Sequence, residues 1–364
     1  MDFRRNCRRA ATLARRRGEA RHLYDLPFGS TLCADWLATT SMPIIEKDPW
    51  RLQYFAGVQC PPELVIPTDD EVAWRLFPAH RWVYDKMRIA RSQGLTCGSH
   101  AQPPPHYPVF CKPITNLLGM GMGIHVLHDA RDFERWCVPG HFWMPLFSGD
   151  HVSTDMAVVR GEPAWIRHTC GVAAGAGTFD YWTVEAADRA GLSAHCSQWV
   201  RANLAGYSGF LNLETIGGRL IEVHLRFADQ WPDLYGAGWL EAMVDLYAHA
   251  RWRFDDTGRR DGFSAALFAP HGRRYAHPPP ALIERLLRQP DISSIQITFH
   301  EDRDGPVHAM PPGGFRLAIV NAWTLQAARQ AREELRRAFA AAAASRPGED
   351  APPARRSAGG AAHQ

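Results

Sequence analysis

Apolar positions recur along the chain in two rhythms, and the changes of rhythm mark the elements. A short apolar run at 64–67 predicts a buried strand. TDDEVAWRLF (68–77) then predicts a helix, with Thr68 and Glu71 in capping-box spacing. The stretch 84–94 predicts a second helix closed by Gly94. PPPHYP (103–108) is a stiff lead-in to a strand ending at Lys112 and Pro113. A loop with glycines at 119, 121 and 123 runs into another strand, and a helix starts near Asp129. Segment 141–172 alternates through two strands joined at 160–163. Residues 173–180 read as a flexible Gly/Ala loop and 186–204 as an amphipathic helix. Further on, a helix at 239–252, strands at 263–270 and 293–299 around a helix at 281–289, and a strand at 310–322 are predicted. A long helix follows, with Thr324 as its N-cap.

Between these lies GFLNLETIGGRLIEVHLR (209–226), two alternating runs split by Gly217 and Gly218, which is a hairpin signal. Asn212 and Glu214 share one face of the first strand. Glu222, His224 and Arg226 share one face of the second, while Ile221, Val223 and Leu225 point the other way into a core. A face with two carboxylates, an imidazole and a guanidinium is costly to bury without compensation. Two carboxylates on adjacent strands suit Mg²⁺, which ordinarily arrives with phosphates.

Composition changes this picture little. The chain has 364 residues, 46% hydrophobic and 22% charged, enough for two or three domains with real cores. The net charge of +3 is concentrated in residues 1–21, so nucleic acid is not expected as a partner. Eight dispersed cysteines fit a reducing compartment, and we expect a cytoplasmic protein with no membrane partner. The 17 histidines form no three-His pattern, and no serine or cysteine sits in a nucleophile elbow.

Lys86, then PVFCKP ending in Lys112 and Pro113, the alternate glycines, GDHVSTD (149–155) and the hairpin follow one another in an order that resembles the ATP-grasp family. The end of the chain, GGFRLAIVNAWTLQAARQAREEL, is similar to the C-terminal part of the biotin-carboxylase-like branch. The resemblance implies an α+β fold with two lobes gripping ATP. It divides the chain into a basic arm (1–21), a reduced N-terminal α/β domain (22–80), the ATP-grasp lobes (81–255), a C-terminal subdomain (256–340) and a disordered tail (341–364). It implies ATP with Mg²⁺, or Mn²⁺ in its place, held by Glu214 and Glu222. Lys86 and Lys112 would contact phosphates, and Gly119, Gly121 and Gly123 would form the lid. Trp143, Met144 and Leu146 would lie in the adenine hinge. Asp150, His151 and Asp155 share the candidacy for the ribose. Arg226 would stabilise transferred phosphate or an oxyanion, with His224 standing where the family has Asn. Arg167, His168, Asp229 and Gln230 are candidates for substrate. The expected reaction is ligation of a small-molecule carboxylate to an amine through an acyl phosphate. Bicarbonate activation, phosphotransfer, or nucleotide binding without turnover stay open, as does a homodimer.

Overall fold

The computed structural model describes residues 58–61, 63–117, 121–175, 177–299, 301 and 310–344. The expected basic arm at 1–21, the segment 22–57, Gly119 and the tail from 345 lie outside the described residues. Leu64, Val65 and Ile66 are buried as expected in the main core, but they pair with no strand among the described residues. Helix α1 (Asp70–Leu76) follows. Its N-cap is Asp69, whose carboxylate accepts from Val72 N. The cap therefore lies one residue beyond Thr68, and the Asp70 carboxylate is left for tertiary work. A 3₁₀ turn (Arg81–Tyr84) leads to α2 (Lys86–Ser92), capped by Asp85 and followed by Gly94 at positive φ, as the sequence predicts.

The small lobe is a four-stranded antiparallel sheet of β1 (Gly98–Ser99), β2 (Val109–Pro113), β3 (His125–Leu127) and β4 (His141–Pro145), in the order β1-β4-β2-β3. Helix α3 (Ala130–Trp136), capped by Asp129, joins β3 to β4. Period-two alternation sends Trp143 into a core with Val109, Cys111, Leu127 and Cys137. Phe142 and Met144 go to the other face, against Ala90 of α2.

The second sheet has eight strands: β5 (His151–Val159), β6 (Glu162–Gly175), β7 (Thr178–Val184), β8 (Gly209–Ile216), β9 (Arg219–His224), β10 (Gly262–Ala269), β11 (Ile292–Ile297) and β12 (Phe315–Ala322). Their order is β11-β12-β10-β7-β6-β5-β8-β9, and every pairing is antiparallel. Stretch 141–172 thus carries three strands rather than two, because the first belongs to the other sheet. The expected loop at 173–180 is the tip of the β6–β7 hairpin. Its small residues carry no side-chain signal, and Gly171 lets aromatic rings lie against the backbone: a Cβ there would be 2.7 Å from Trp182.

Helices α4 (Ala190–Asn203), α5 (Trp239–His249), α6 (Pro280–Leu287) and α7 (Leu325–Ala344) complete the fold, with Thr324 accepting from Ala327 N at the start of α7. None of the described helices is long and apolar enough to cross a membrane. Gly217 and Gly218 form the β8–β9 turn at φ +55° and +77°. A Cβ on Gly217 would come within 2.3 Å of Ser148 O, so the turn tip is pressed against the link between the sheets. A bulge between Glu214 and Thr215 shifts Ile221 out of alternation. Val223 and Leu225 enter the main core, but Ile221 turns to the small lobe instead. Strand β9 ends the sheet order, and side chains close its outer edge. Gln93 both donates to Leu220 O (2.8 Å) and accepts from Leu220 N (2.9 Å), Lys112 donates to Ile221 O (2.8 Å), and Tyr84 OH accepts from Leu225 N (3.3 Å).

Candidate active site

The register of the large sheet lines up the candidate residues in rows across one face. Glu222, Glu214 and Ser153 stand opposite one another on β9, β8 and β5. The next row holds His224, Asn212, Asp155 and, on β6, Arg167. The hairpin reading thus holds: Asn212 and Glu214 share a face with Glu222 and His224.

Glu222 is the meeting point. Lys86 Nζ, at the first residue of α2, donates to its Oε1 at 2.7 Å, and Lys112 Nζ, on β2, stands 3.9 Å from the same oxygen. His224 Nε2 lies 3.5 Å from Oε2. Burial opposes ionisation of Glu222, but Lys86, then His224 and Lys112, outweigh it and hold the carboxyl well below its usual range. Lys112 is only 2% exposed. Burial lowers its ammonium to about 8, against the pull of Glu222. Across from this group, Glu214 Oε2 is 3.1 Å from His151 Nε2, which raises His151 against the effect of burial. Glu214, Glu222 and His151 keep 29%, 20% and 24% of their side chains exposed, so this end opens to solvent while the lysines form its wall.

Behind Glu222 the charges continue to alternate. His224 Nδ1 is 2.9 Å from Asp70 Oδ2. Arg226 contacts both oxygens of Asp70, Nε at 3.0 Å from Oδ1 and a terminal nitrogen donating to Oδ2 at 3.2 Å. Tyr84 OH donates to Oδ1 at 3.2 Å. Burial works against the charge on His224, but Asp70 and Glu222 raise it to about 9. Asp70, opposed by burial yet faced by Arg226 and His224, is held far below the carboxylate range. Sequence reasoning passed over Asp70. The available signal was a second acid beside a capping acid, with no helical job of its own.

Two carboxylates on facing positions fit an Mg²⁺ that brings phosphate oxygens with it. No group of three or more His, Cys, Asp or Glu among the described residues is placed to hold a metal alone. His224 is not a third ligand as placed, because each ring nitrogen faces a carboxylate.

Other candidates are placed differently. Asp155 is buried deep in the second row, accepting from Asn212 Nδ2 (2.7 Å), Tyr235 OH (2.8 Å) and Ala228 N (3.0 Å). Burial raises it to about 6 despite those donors. Asp155 is thus out of reach of solvent, whereas His151 and Asp150, the latter paired with Arg189 at 2.8 Å, stay accessible. Trp143 turns its ring into the small-lobe core, Met144 packs under α2, and Leu146 is exposed on the link to β5. Gly121 and Gly123 have positive φ before β3. Arg167 is buried on Asp256 (3.1 Å) and Arg260 O (2.9 Å). His168 faces the opposite side of the sheet, between Thr154 and Ser193 of α4, so the structure does not bring it to the site. The Gln230 carbonyl accepts from Gln296 and Asn321, which ties the segment carrying Asp229 and Gln230 to β11 and β12.

The chain has the ATP-grasp fold: two antiparallel sheets, with Lys112 of the smaller and Lys86 of the adjoining α2 facing paired carboxylates of the larger. No family model and no curated protein matches the sequence. Solved structures do match in fold. An L-amino acid ligase from Bacillus licheniformis aligns at TM-score 0.51 with 10% identity, over 70% of this chain and 71% of that one. An N5-carboxyaminoimidazole synthase from Aspergillus clavatus, in complex with ADP and 5-aminoimidazole ribonucleotide, gives 0.51 with 12% identity over 80% of each chain. A phosphoribosylamine–glycine ligase from Thermotoga maritima gives 0.50 with 14% identity, over 71% of this chain and 77% of that one.

Proposed function

We propose that the protein is an ATP-dependent ligase that joins a small-molecule carboxylate to an amine. The observation that carries this reading is the convergence of Lys86 and Lys112 on Glu222, opposite Glu214, at the open end of the sheet. Cationic side chains from one lobe and a pair of carboxylates from the other are what a triphosphate with its cation requires. The ligase names of the fold neighbours support the reaction class.

Glu214 and Glu222 would hold Mg²⁺, which would neutralise phosphate charge and orient the phosphates. Lys86 and Lys112 would spread positive charge over the triphosphate. A substrate carboxylate oxygen attacks the γ-phosphorus, ADP leaves, and an acyl phosphate forms. The amine nitrogen then attacks the acyl carbon, phosphate leaves, and an amide results. No protein nucleophile is needed; the chain supplies position and charge. Arg226, oriented by both oxygens of Asp70, would face the developing oxyanion. Asp229 and Gln230, which follow the carboxylate strand, would meet the acceptor.

The test is an ADP-release screen of amino acids and small acids, singly and in pairs. ADP formation that requires both a carboxylate and an amine, with an amide product, supports ligation. A stable phosphorylated product points to phosphotransfer. One observation favours binding without turnover: His224 stands where the resemblance implies Asn, and both of its nitrogens are occupied by carboxylates. Nucleotide binding with no ADP across the whole panel would replace the ligase reading with that one. The six free cysteines among the described residues support a reducing compartment, and with it the cytoplasm.

A further inference from the structure

The contacts of Glu222 show what a divalent cation would meet on arriving alone. One oxygen carries Lys86 at 2.7 Å, with Lys112 at 3.9 Å; the other faces His224 at 3.5 Å. Glu214 is engaged by His151. Around the two carboxylates stand Lys86, Lys112, His224 and His151, and Asp70 behind them is faced in turn by His224 and Arg226. The neighbourhood is therefore already neutralised, and a free dication would meet repulsion as well as occupied oxygens. Lys86 is 7% exposed at its side chain, and its ammonium donates to Glu222. Such an ammonium will leave its carboxylate only for another anion.

We propose that Lys86 is a gate that makes divalent-cation binding conditional on the nucleotide. With no nucleotide bound, Lys86 holds Glu222 and the cation site is closed. When triphosphate oxygens enter between the lobes, they draw the Lys86 ammonium off Glu222. The same event adds negative charge and frees the carboxylate, so the cation affinity rises. Linkage requires the reverse as well: the cation must tighten nucleotide binding by the same factor. This inference rests on the ATP-site reading given above. It adds the order of binding and the residue that sets it.

The experiment measures Mn²⁺ binding to the full chain by electron paramagnetic resonance, without and with a non-hydrolysable ATP analogue. Nucleotide binding is followed in parallel by calorimetry. The expected result is at least a thirtyfold gain in Mn²⁺ affinity when the analogue is present. Lys86→Met should bind Mn²⁺ at least tenfold more tightly than wild type with no nucleotide, because Glu222 is then released. Lys86→Gln, which keeps a polar head, serves as the second variant, and circular dichroism checks the fold of both. Wild-type Mn²⁺ affinity that is the same with and without bound analogue overturns the gate while leaving the ATP reading in place. Unchanged metal-alone affinity in both folded variants does the same. Failure of the analogue to bind wild type at any Mn²⁺ concentration overturns both.

Discussion

Glu222 and Asp155 stand on the same face of the same sheet, in adjacent rows, and their surroundings drive them in opposite directions. Glu222 is met by Lys86, Lys112 and His224 and stays ionised well below its usual range. Asp155 is met by an amide, a phenol and a backbone N–H, all neutral, and burial raises it to about 6. The difference separates chemistry from construction. Cations from two lobes gather on a carboxylate that, in the proposed function, exchanges partners. Neutral donors, which have no reason to leave, gather on a carboxylate that locks strand β5 to β8 and to the chain after β9. Rings close this second region from below: Trp165, Phe210, Tyr235 and Trp239 pack with centroids 4.8 to 6.2 Å apart in their closer pairs. The first region keeps Glu214, Glu222 and His151 partly exposed and opens to solvent.

The largest effect should come from the first region. Glu222→Gln removes a charge from a cation site and should lower metal-dependent ADP formation about 10²–10³-fold. Circular dichroism should show the fold retained, and wild-type turnover would sink the assignment of Glu222. Next comes Asp70→Ala, which strands His224 and Arg226 without their counter-charge. We expect about 3 kcal/mol of lost stability in urea denaturation; a loss below about 1 kcal/mol would show that the charges find other partners.

Asp155→Asn should leave the affinity for an ATP analogue within about twofold, since Asp155 lies outside the open end; a larger change would dissolve the contrast between the regions. Its signature is in the pH dependence. A carboxyl raised in the folded state contributes stability that is fully present below the unfolded value near 3.8. That stability is lost as pH rises to about 6. At about 1.4 kcal/mol for each unit, wild type should lose about 3 kcal/mol relative to Asp155→Asn across that window. A parallel pH profile for the two proteins would contradict it. The smallest effect belongs to Ser153→Ala, which removes the hydroxyl accepting from Asn212 at 2.7 Å. A cost of about 1 kcal/mol, with unchanged nucleotide affinity, would keep that contact on the structural side of the comparison.

Much of the first region was legible because it is local. Gly217–Gly218 announces a hairpin, and period two then puts Glu214 and Glu222 on one face, which the register confirms. The α+β fold and its two antiparallel sheets also followed from the motif order. What could not be read was contact across distance. His224 and Asp70 are 154 residues apart, and no periodicity links them. His168 looked equivalent to Arg167 because adjacency in sequence hides the alternation that sends it to the far face. Ile221 was misassigned to the main core because a bulge resets alternation without changing composition. The β6–β7 hairpin tip was taken for a loop because its run of alanine and glycine shows no alternation of apolar and polar side chains.

The side chains that close the outer edge of β9 have a consequence for solubility. An unpaired strand edge is a template for the strand of a neighbouring molecule. In this protein Gln93 occupies the peptide of Leu220 in both directions, as the backbone of a ninth strand would, and Lys112 and Tyr84 fill the flanking positions. Any motion that drew α2, Tyr84 and Lys112 together away from β9 would uncover a row of donors and acceptors along the hairpin. Side chains that stand in for a ninth strand therefore also keep the protein from pairing with its own copies.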